Sequence, residues 1–97
     1  MKIEKQISME FNHVVELTKH SKSKRIADDV LCEWAAKLMK EKLNDSREKG
    51  RHGWYDNDVC TIDDLRVMLT QAIDKGDMTD VMNFAAMIKA RECAKQQ

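Results

Sequence analysis

The residues of this 97-residue chain with the widest chemical repertoire are its three cysteines and three histidines, and their spacing limits what they can do. Zinc sites of the finger type present ligands in close pairs such as C-x2-C or H-x3-H, because one short turn must aim two side chains at one ion. Cys32, Cys60 and Cys93 are widely separated, and no such pair is present. His52 and Cys60 are placed to converge across a loop with Cys32 or Cys93, whereas His13 and His20 share a helix face and read as solvated. Nucleophilic catalysis needs a thiol or hydroxyl beside an oriented base, and an oxyanion pocket. His52, Gly53 and Cys60 are the candidates for it, but packing of Cys60 against a helix start accounts for that residue more simply. The expectation is therefore no catalytic residue, no metal ligand and no cofactor.

Two carboxylates carry a sharper alternative. Asp77 and Asp80 lie three apart at a helix start, on the face that Val81 and Asn83 continue. The string DMTDVMNFAAMI looks like the second half of the magnesium-binding pattern of MazG-type nucleotide pyrophosphohydrolases, an E-x-x-E followed later by E-x-x-D. The first Glu pair of that pattern is absent; Asp56, Asp58, Asp63 and Asp64 lie roughly where it belongs but are shorter and differently spaced. Helix capping accounts for Asp77 and Asp80 without a metal. A second alternative starts from the basic run Lys19, His20, Lys22, Lys24 and Arg25 and the helix-turn-helix look of the last two helices. A recognition helix needs polar side chains facing the groove, whereas Val81, Met82, Phe84, Ala85, Met87 and Ile88 leave only Asn83 and Lys89 along that stretch to read bases. Nucleic acid is not the expected partner.

The elements that must position these groups are helical. Ile3, Ile7, Phe11 and Val14 fall on one stripe, so Ile3 to Leu17 reads as an amino-terminal helix, although Ile7, Met9, Phe11, Val15 and Leu17 also alternate as a strand would. A long central helix is predicted from near Ser23 to about Asn44, with Ala27, Leu31, Trp34 and Leu38 on its apolar stripe and Ala35, Met39 and Leu43 adjoining it. Asp28 and Asp29 in its first turns and Lys37, Lys40 and Lys42 towards its end suit the helix dipole. From Asn44 to Cys60, glycine, asparagine and aspartate predict a long ordered loop pinned by the Trp54–Tyr55 pair, and a loop of that length usually has a function. Thr61 and Asp64 then form a capping box, with Cys60 and Leu65 as a hydrophobic staple. Ile62, Leu65, Leu69, Ala72 and Ile73 are the expected buried face of that helix. Gly76 supplies a left-handed stop and Asp77 caps the last helix, which begins at Met78. From Val81 to Ile88 that helix is apolar on nearly all sides, so it is expected to be wrapped by neighbouring helices or by a second copy of the chain.

Composition agrees with one helical domain spanning 1–97. Seventeen basic and seventeen acidic residues cancel, which removes the broad electrostatic attraction of nonspecific nucleic-acid and membrane-surface binders. The chain has no proline and three glycines, and charged residues make up 35% of it. MKIEKQISMEF lacks the apolar core of a secretory signal, and no run of about 18 apolar residues spans a bilayer. An odd number of dispersed cysteines suits a reducing compartment, and the expectation is cytoplasmic, with no membrane partner. The architecture expected is all-α: a compact bundle of about four helices, with a long ordered loop before a carboxy-terminal helical hairpin.

From Gly50 to Arg91 the chain resembles a family of small proteins encoded by bacteriophages and prophages. The matching residues are Gly50, Arg51, Gly53, Trp54 and Asp56, then Cys60, Thr61 and Leu65, then Lys75, Gly76, Asp77, Asp80, Val81, Asn83, Phe84, Met87 and Ile88. Met78 stands where the family has proline, a residue suited to a first helical position, and Ala86 where it has methionine. The resemblance implies an accessory protein that acts in the host cytoplasm by binding, and so sequestering or inhibiting, a host or rival protein without catalysis. Arg51, His52, Trp54, Tyr55 and Asp56 are then the expected contact residues, since Trp, Tyr and Arg are over-represented among interface hot spots. Homodimerisation through the apolar last helix is the second partner expectation.

Overall fold

Ala, Leu, Met, Lys and Glu dominate the stretch after Ser23, and such residues lose little side-chain freedom in a helix. In the computed structural model, which describes residues 24–95, they form α1 over Lys24–Glu48. Helix α2 spans Ile62–Lys75 and α3 spans Met78–Lys95, and the described residues contain no strand. The expected amino-terminal helix at Ile3 to Leu17 lies outside the described residues, as do Lys19, His20 and Lys22 of the basic run. By backbone contacts the chain divides into two units, Met1–Lys40 and Glu41–Gln97, with the division inside α1. No helix among the described residues is long and apolar enough to cross a membrane.

The described part of the first unit, residues 24–40, shows the predicted stripe. Leu38 is buried, and Ala27, Trp34, Ala35 and Met39 are half-buried, while Leu31 stays largely exposed. The dipole argument holds less well at the start of this helix. Its first turn is Lys24, Arg25, Ile26 and Ala27, with no acidic residue, because Asp28 and Asp29 fall in the second turn.

In the second unit the remainder of α1 runs one turn beyond the expected stop at Asn44. Asn44, Asp45 and Ser46 have modest helix propensity, but propensity is a weak prior. The helix ends where Gly50 adopts φ 81. There the Gly50 N–H bonds the Arg47 carbonyl at 2.9 Å and the Arg51 N–H bonds the Ser46 carbonyl at 2.9 Å, the paired contacts of a Schellman stop. The loop is correspondingly shorter than the sequence suggested.

The hairpin follows its local signals closely. Thr61 Oγ1 accepts from the Asp64 N–H at 3.0 Å, and Asp64 Oδ2 accepts from the Thr61 N–H at 3.0 Å, so the capping box is complete. Gly76 at φ 73 closes α2, with its N–H on the Ile73 carbonyl and the Asp77 N–H on the Ala72 carbonyl, each at 3.0 Å. Asp77 Oδ1 then accepts from the Asp80 N–H at 3.1 Å and starts α3. The two helices pack on each other, and the Arg66 guanidinium near the start of α2 lies 4.0 Å from Glu92 near the end of α3. Leu65 is at 0% exposure, and Ile62, Ala72 and Ile88 complete the buried apolar set of this unit. Truncating a residue like Leu65 to alanine typically costs about 2–5 kcal/mol.

One packing expectation is corrected. Ile73 is 53% exposed, not part of the buried face. By helical angle Ile73 lies about 20° from Ile62 and about 40° from Leu69, within reach of the stripe, but it stands in the last turn of the helix, beyond the buried Ala72. Along the last helix Asn83 and Ile88 are buried, Val81, Met82, Phe84 and Met87 are half-buried, and Ala85, Ala86, Lys89 and Ala90 are exposed. Alanine reads as apolar in a pattern but exposes a single methyl, so an alanine-bearing face needs little cover.

Candidate functional site

The candidate contact residues lie on the segment between α1 and α2, whose backbone is organised by short-range hydrogen bonds. The Asp56 N–H bonds the Gly53 carbonyl at 3.0 Å, and the Asp56 carbonyl accepts from Val59 N–H at 3.0 Å and Cys60 N–H at 2.8 Å. Asp56 Oδ1 also accepts from the Asp58 N–H at 2.9 Å, an Asx-type turn. Gly53 is buried at φ 88, and a Cβ built on it would lie 2.8 Å from Val59 Cγ1. The absence of a side chain at Gly53 therefore lets Val59 lie directly on its backbone.

Arg91 of α3 closes this segment from behind. Its Nη1 donates to the Trp54 carbonyl at 3.1 Å and to the Cys60 carbonyl, and its Nη2 donates to Asn57 Oδ1 at 3.0 Å. The acceptors sit at the start, middle and end of residues 54–60, so the loop curls around one guanidinium. A planar fork of N–H donors suits this task, whereas an ammonium is a point charge on a flexible stem. Arg91 is thus a tie on the loop beyond the expected aromatic pair. Trp54 and Tyr55 do meet edge to face, with ring centroids 5.7 Å apart, but Trp54 is only half-buried and Tyr55 is 69% exposed.

The five candidates are therefore presented unequally. Arg51, His52, Tyr55 and Asp56 are exposed, Trp54 is half-covered, and Val59, which the sequence reading passed over, is 62% exposed beside them. Cys60 is half-buried at the end of the loop. Burial pushes its thiol up from the ordinary value, with the Asp64 carboxylate adding to the shift and the Arg91 charge opposing it. Such a thiol is a poor nucleophile at neutral pH. The free cysteines Cys32 and Cys93 are exposed.

Asp77 and Asp80 form a second cluster, with Lys42 of α1. The Lys42 ammonium lies 2.9 Å from Asp77 Oδ2 and 3.9 Å from Asp80 Oδ1. The Asp80 N–H and the Lys42 ammonium together hold the Asp77 carboxyl below its ordinary range. Asp80 is shifted the other way: burial raises it, Lys42 opposes that rise, the neighbouring Asp77 carboxylate reinforces it, and Arg51 lowers it a little. Hydrogen bonding to Asp77 raises Lys42, which keeps the amine protonated. Among the described residues, no group of three or more His, Cys, Asp or Glu side chains is arranged to hold a metal ion.

Arg91, Asn57, Val59 and Lys42 were not singled out as site residues from sequence. The available signal for Arg91 was its position three residues after Ile88 and seven after Phe84, which puts a guanidinium on the helix face that carries the core. Asn57 and Val59 carried no comparable signal. Comparison with protein-family models, with curated proteins and with solved structures yields no match to this chain.

Proposed function

We propose that this chain is a non-catalytic binding module that engages another protein through the loop between Gly50 and Cys60. The observation that carries the reading is Tyr55, an aromatic side chain 69% exposed on a backbone tied down by three guanidinium hydrogen bonds. Large apolar side chains that project from a fixed backbone lose little entropy on binding, and tyrosine and arginine often anchor interfaces. Arg51, His52 and Asp56 supply the polar part of the surface, with Trp54 as the partly covered wall. The resemblance to phage-encoded proteins supplies the partner class: a host or rival protein, sequestered or inhibited in the host cytoplasm. In this reading the segment Ile3 to Leu17 adds the fourth helix of a single bundle.

The runner-up, a MazG-like nucleotide pyrophosphohydrolase, needs a divalent ion at Asp77 and Asp80. Against it weighs the Lys42 ammonium at 2.9 Å from Asp77, a cation already in that role, with the other Asp77 oxygen engaged by the Asp80 N–H. Against a helix-turn-helix reading weighs the burial of Asn83, which leaves Lys89 as the exposed polar side chain between residues 81 and 90.

The test is affinity capture from bacterial host lysate with mass spectrometry, comparing the wild-type chain with Tyr55→Ala and Arg51→Ala. A complex that survives chelator and is weakened by both substitutions is the expected result. Capture indifferent to both changes would refute the assignment of the loop, and magnesium-dependent nucleotide turnover abolished by Asp80→Asn would install the runner-up.

A further inference from the structure

We propose that Arg91 is the positioning residue of the contact loop, a guanidinium-specific clasp that presets how Tyr55 and Val59 are presented. The proposal rests on the reading of that loop as the binding surface. Three features support it. The acceptors at residues 54, 57 and 60 belong to one continuous segment, so a single side chain spans it from end to end. Two of them are main-chain carbonyls, which fix the path of the backbone and not merely a side chain. All three acceptors are neutral, so the charge of Arg91 is directed at the loop and not spent on a carboxylate partner there. The loop's internal bonds form two successive turns, one from the Gly53 carbonyl to the Asp56 N–H and one from the Asp56 carbonyl to Val59 and Cys60. Arg91 ties both turns to the hairpin, through the Trp54 carbonyl in the first and the Cys60 carbonyl in the second.

A clasp of this kind makes a claim that ordinary packing does not. Replacing Arg91 with lysine keeps the charge and most of the aliphatic stem, but the ammonium has no second nitrogen for Asn57 and ends one bond short of Nη1, the atom that donates to both carbonyls. Loop order should therefore fail in Arg91→Lys while the hairpin survives. In Arg91→Ala, free methylguanidinium should restore order, and methylammonium should not.

The experiment is amide hydrogen exchange by NMR on the full chain, comparing wild type, Arg91→Lys and Arg91→Ala. The reporting amides are Asp56, Val59 and Cys60, and those within α2 and α3 serve as reference. The expected result is exchange of the loop amides faster by roughly tenfold to a hundredfold in both variants with the reference amides unchanged. Recovery of Arg91→Ala in millimolar methylguanidinium alone is the second expected result. Loop amides that keep their protection in Arg91→Ala would overturn the proposal. So would loss of loop and helix protection together in both variants, which would make Arg91 a packing residue, and so would equal rescue by methylammonium. The measurement uses no partner, so a clasp that behaves as expected beside a capture experiment that fails would count against the binding function alone.

Discussion

Replacing Gly53 with alanine tests the loop architecture at a single atom. The backbone there is at φ +88, in the left-handed region where a Cβ costs an L residue about 1–2 kcal/mol. The new methyl would also stand 2.8 Å from Val59 Cγ1 and 3.3 Å from Val59 Cβ. Rotating the valine about χ1 moves Cγ1 but leaves Cβ in place, so the backbone of the turn must also yield, and overpacking of this kind costs about 1–3 kcal/mol. The expected destabilisation is therefore about 3 kcal/mol. Gly76→Ala is the internal control, because at φ +73 it meets no atom within 4 Å and carries the conformational cost alone. Thermal unfolding followed by far-UV circular dichroism separates the two. Near 4–8 °C per kcal/mol for a chain of this size, Gly53→Ala should lower Tm by roughly 12–24 °C and Gly76→Ala by roughly half as much. Adding Val59→Ala to Gly53→Ala removes the nearest contact but not the Cβ, so about 1 kcal/mol should return. If Gly53→Ala proves no more costly than Gly76→Ala, or if Val59→Ala returns nothing, the close approach of Gly53 and Val59 is not a constraint on the loop.

The acidic pair predicts opposite responses to the same change. Asp77 is held below its ordinary range, so its stabilisation is complete above the unfolded value of 3.8 and is lost as pH falls below that value; Asp77→Asn should lower the urea midpoint at neutral pH. Asp80 is raised by burial, so ionising it opposes folding, and Asp80→Asn should be neutral or slightly stabilising at neutral pH, with any advantage shrinking on acidification. Lys42→Met should cost no more than about 1 kcal/mol, since the paired side chains keep 38% and 32% of their exposure; a loss shared equally by the two asparagine variants would refute this division. Iodoacetamide should modify exposed Cys32 and Cys93 before half-buried Cys60, whose thiol burial raises, and peptide mass spectrometry showing Cys60 first would contradict this order of exposure. Ala86→Glu places a charge on the exposed face of α3 and should leave Tm unchanged within about 0.5 kcal/mol equivalent. A large loss, or a change in sedimentation, would instead reveal a second copy seated on that face.

The stops and starts of the hairpin were legible because each is decided within a few residues. Thr61 with Asp64, Gly76, and Asp77 with Asp80 name both partners of their hydrogen bonds inside one short string. The end of α1 was read too early for the complementary reason. Asn44, Asp45 and Ser46 signal only a preference, whereas Gly50 imposes a geometry, and the geometry decides where the last carbonyls find their donors. Ile73 shares the angular arc of the buried stripe, and periodicity, which reports angle alone, does not say that the packing stops one residue before it. Leu69 and Ala72 close the contact, and Ile73 is left over in the final turn.

The site was half legible, and the division follows the type of partner. Its glycine, its aromatics and its aspartate turn are local features, and they identified the loop. What fixes the loop is remote: Arg91 lies 37 residues beyond Trp54 and 31 beyond Cys60. Distance alone is not the obstacle, because Lys42 and Asp77 are separated by 35 residues and yet declare opposite charges to any reader of the sequence. Arg91 is different in that its two main-chain acceptors have no signature at all, since every residue carries the same carbonyl. Matching charges or hydrogen-bonding side chains would therefore pass it over. The better clue is an arginine on the same helical arc as Phe84 and Ile88, a cation facing the core with no carboxylate three or four residues from it on its own helix face. In a small helical protein, such a residue implies that main-chain oxygens are turned towards it, and a loop rich in glycine and aspartate is where the chain can turn them.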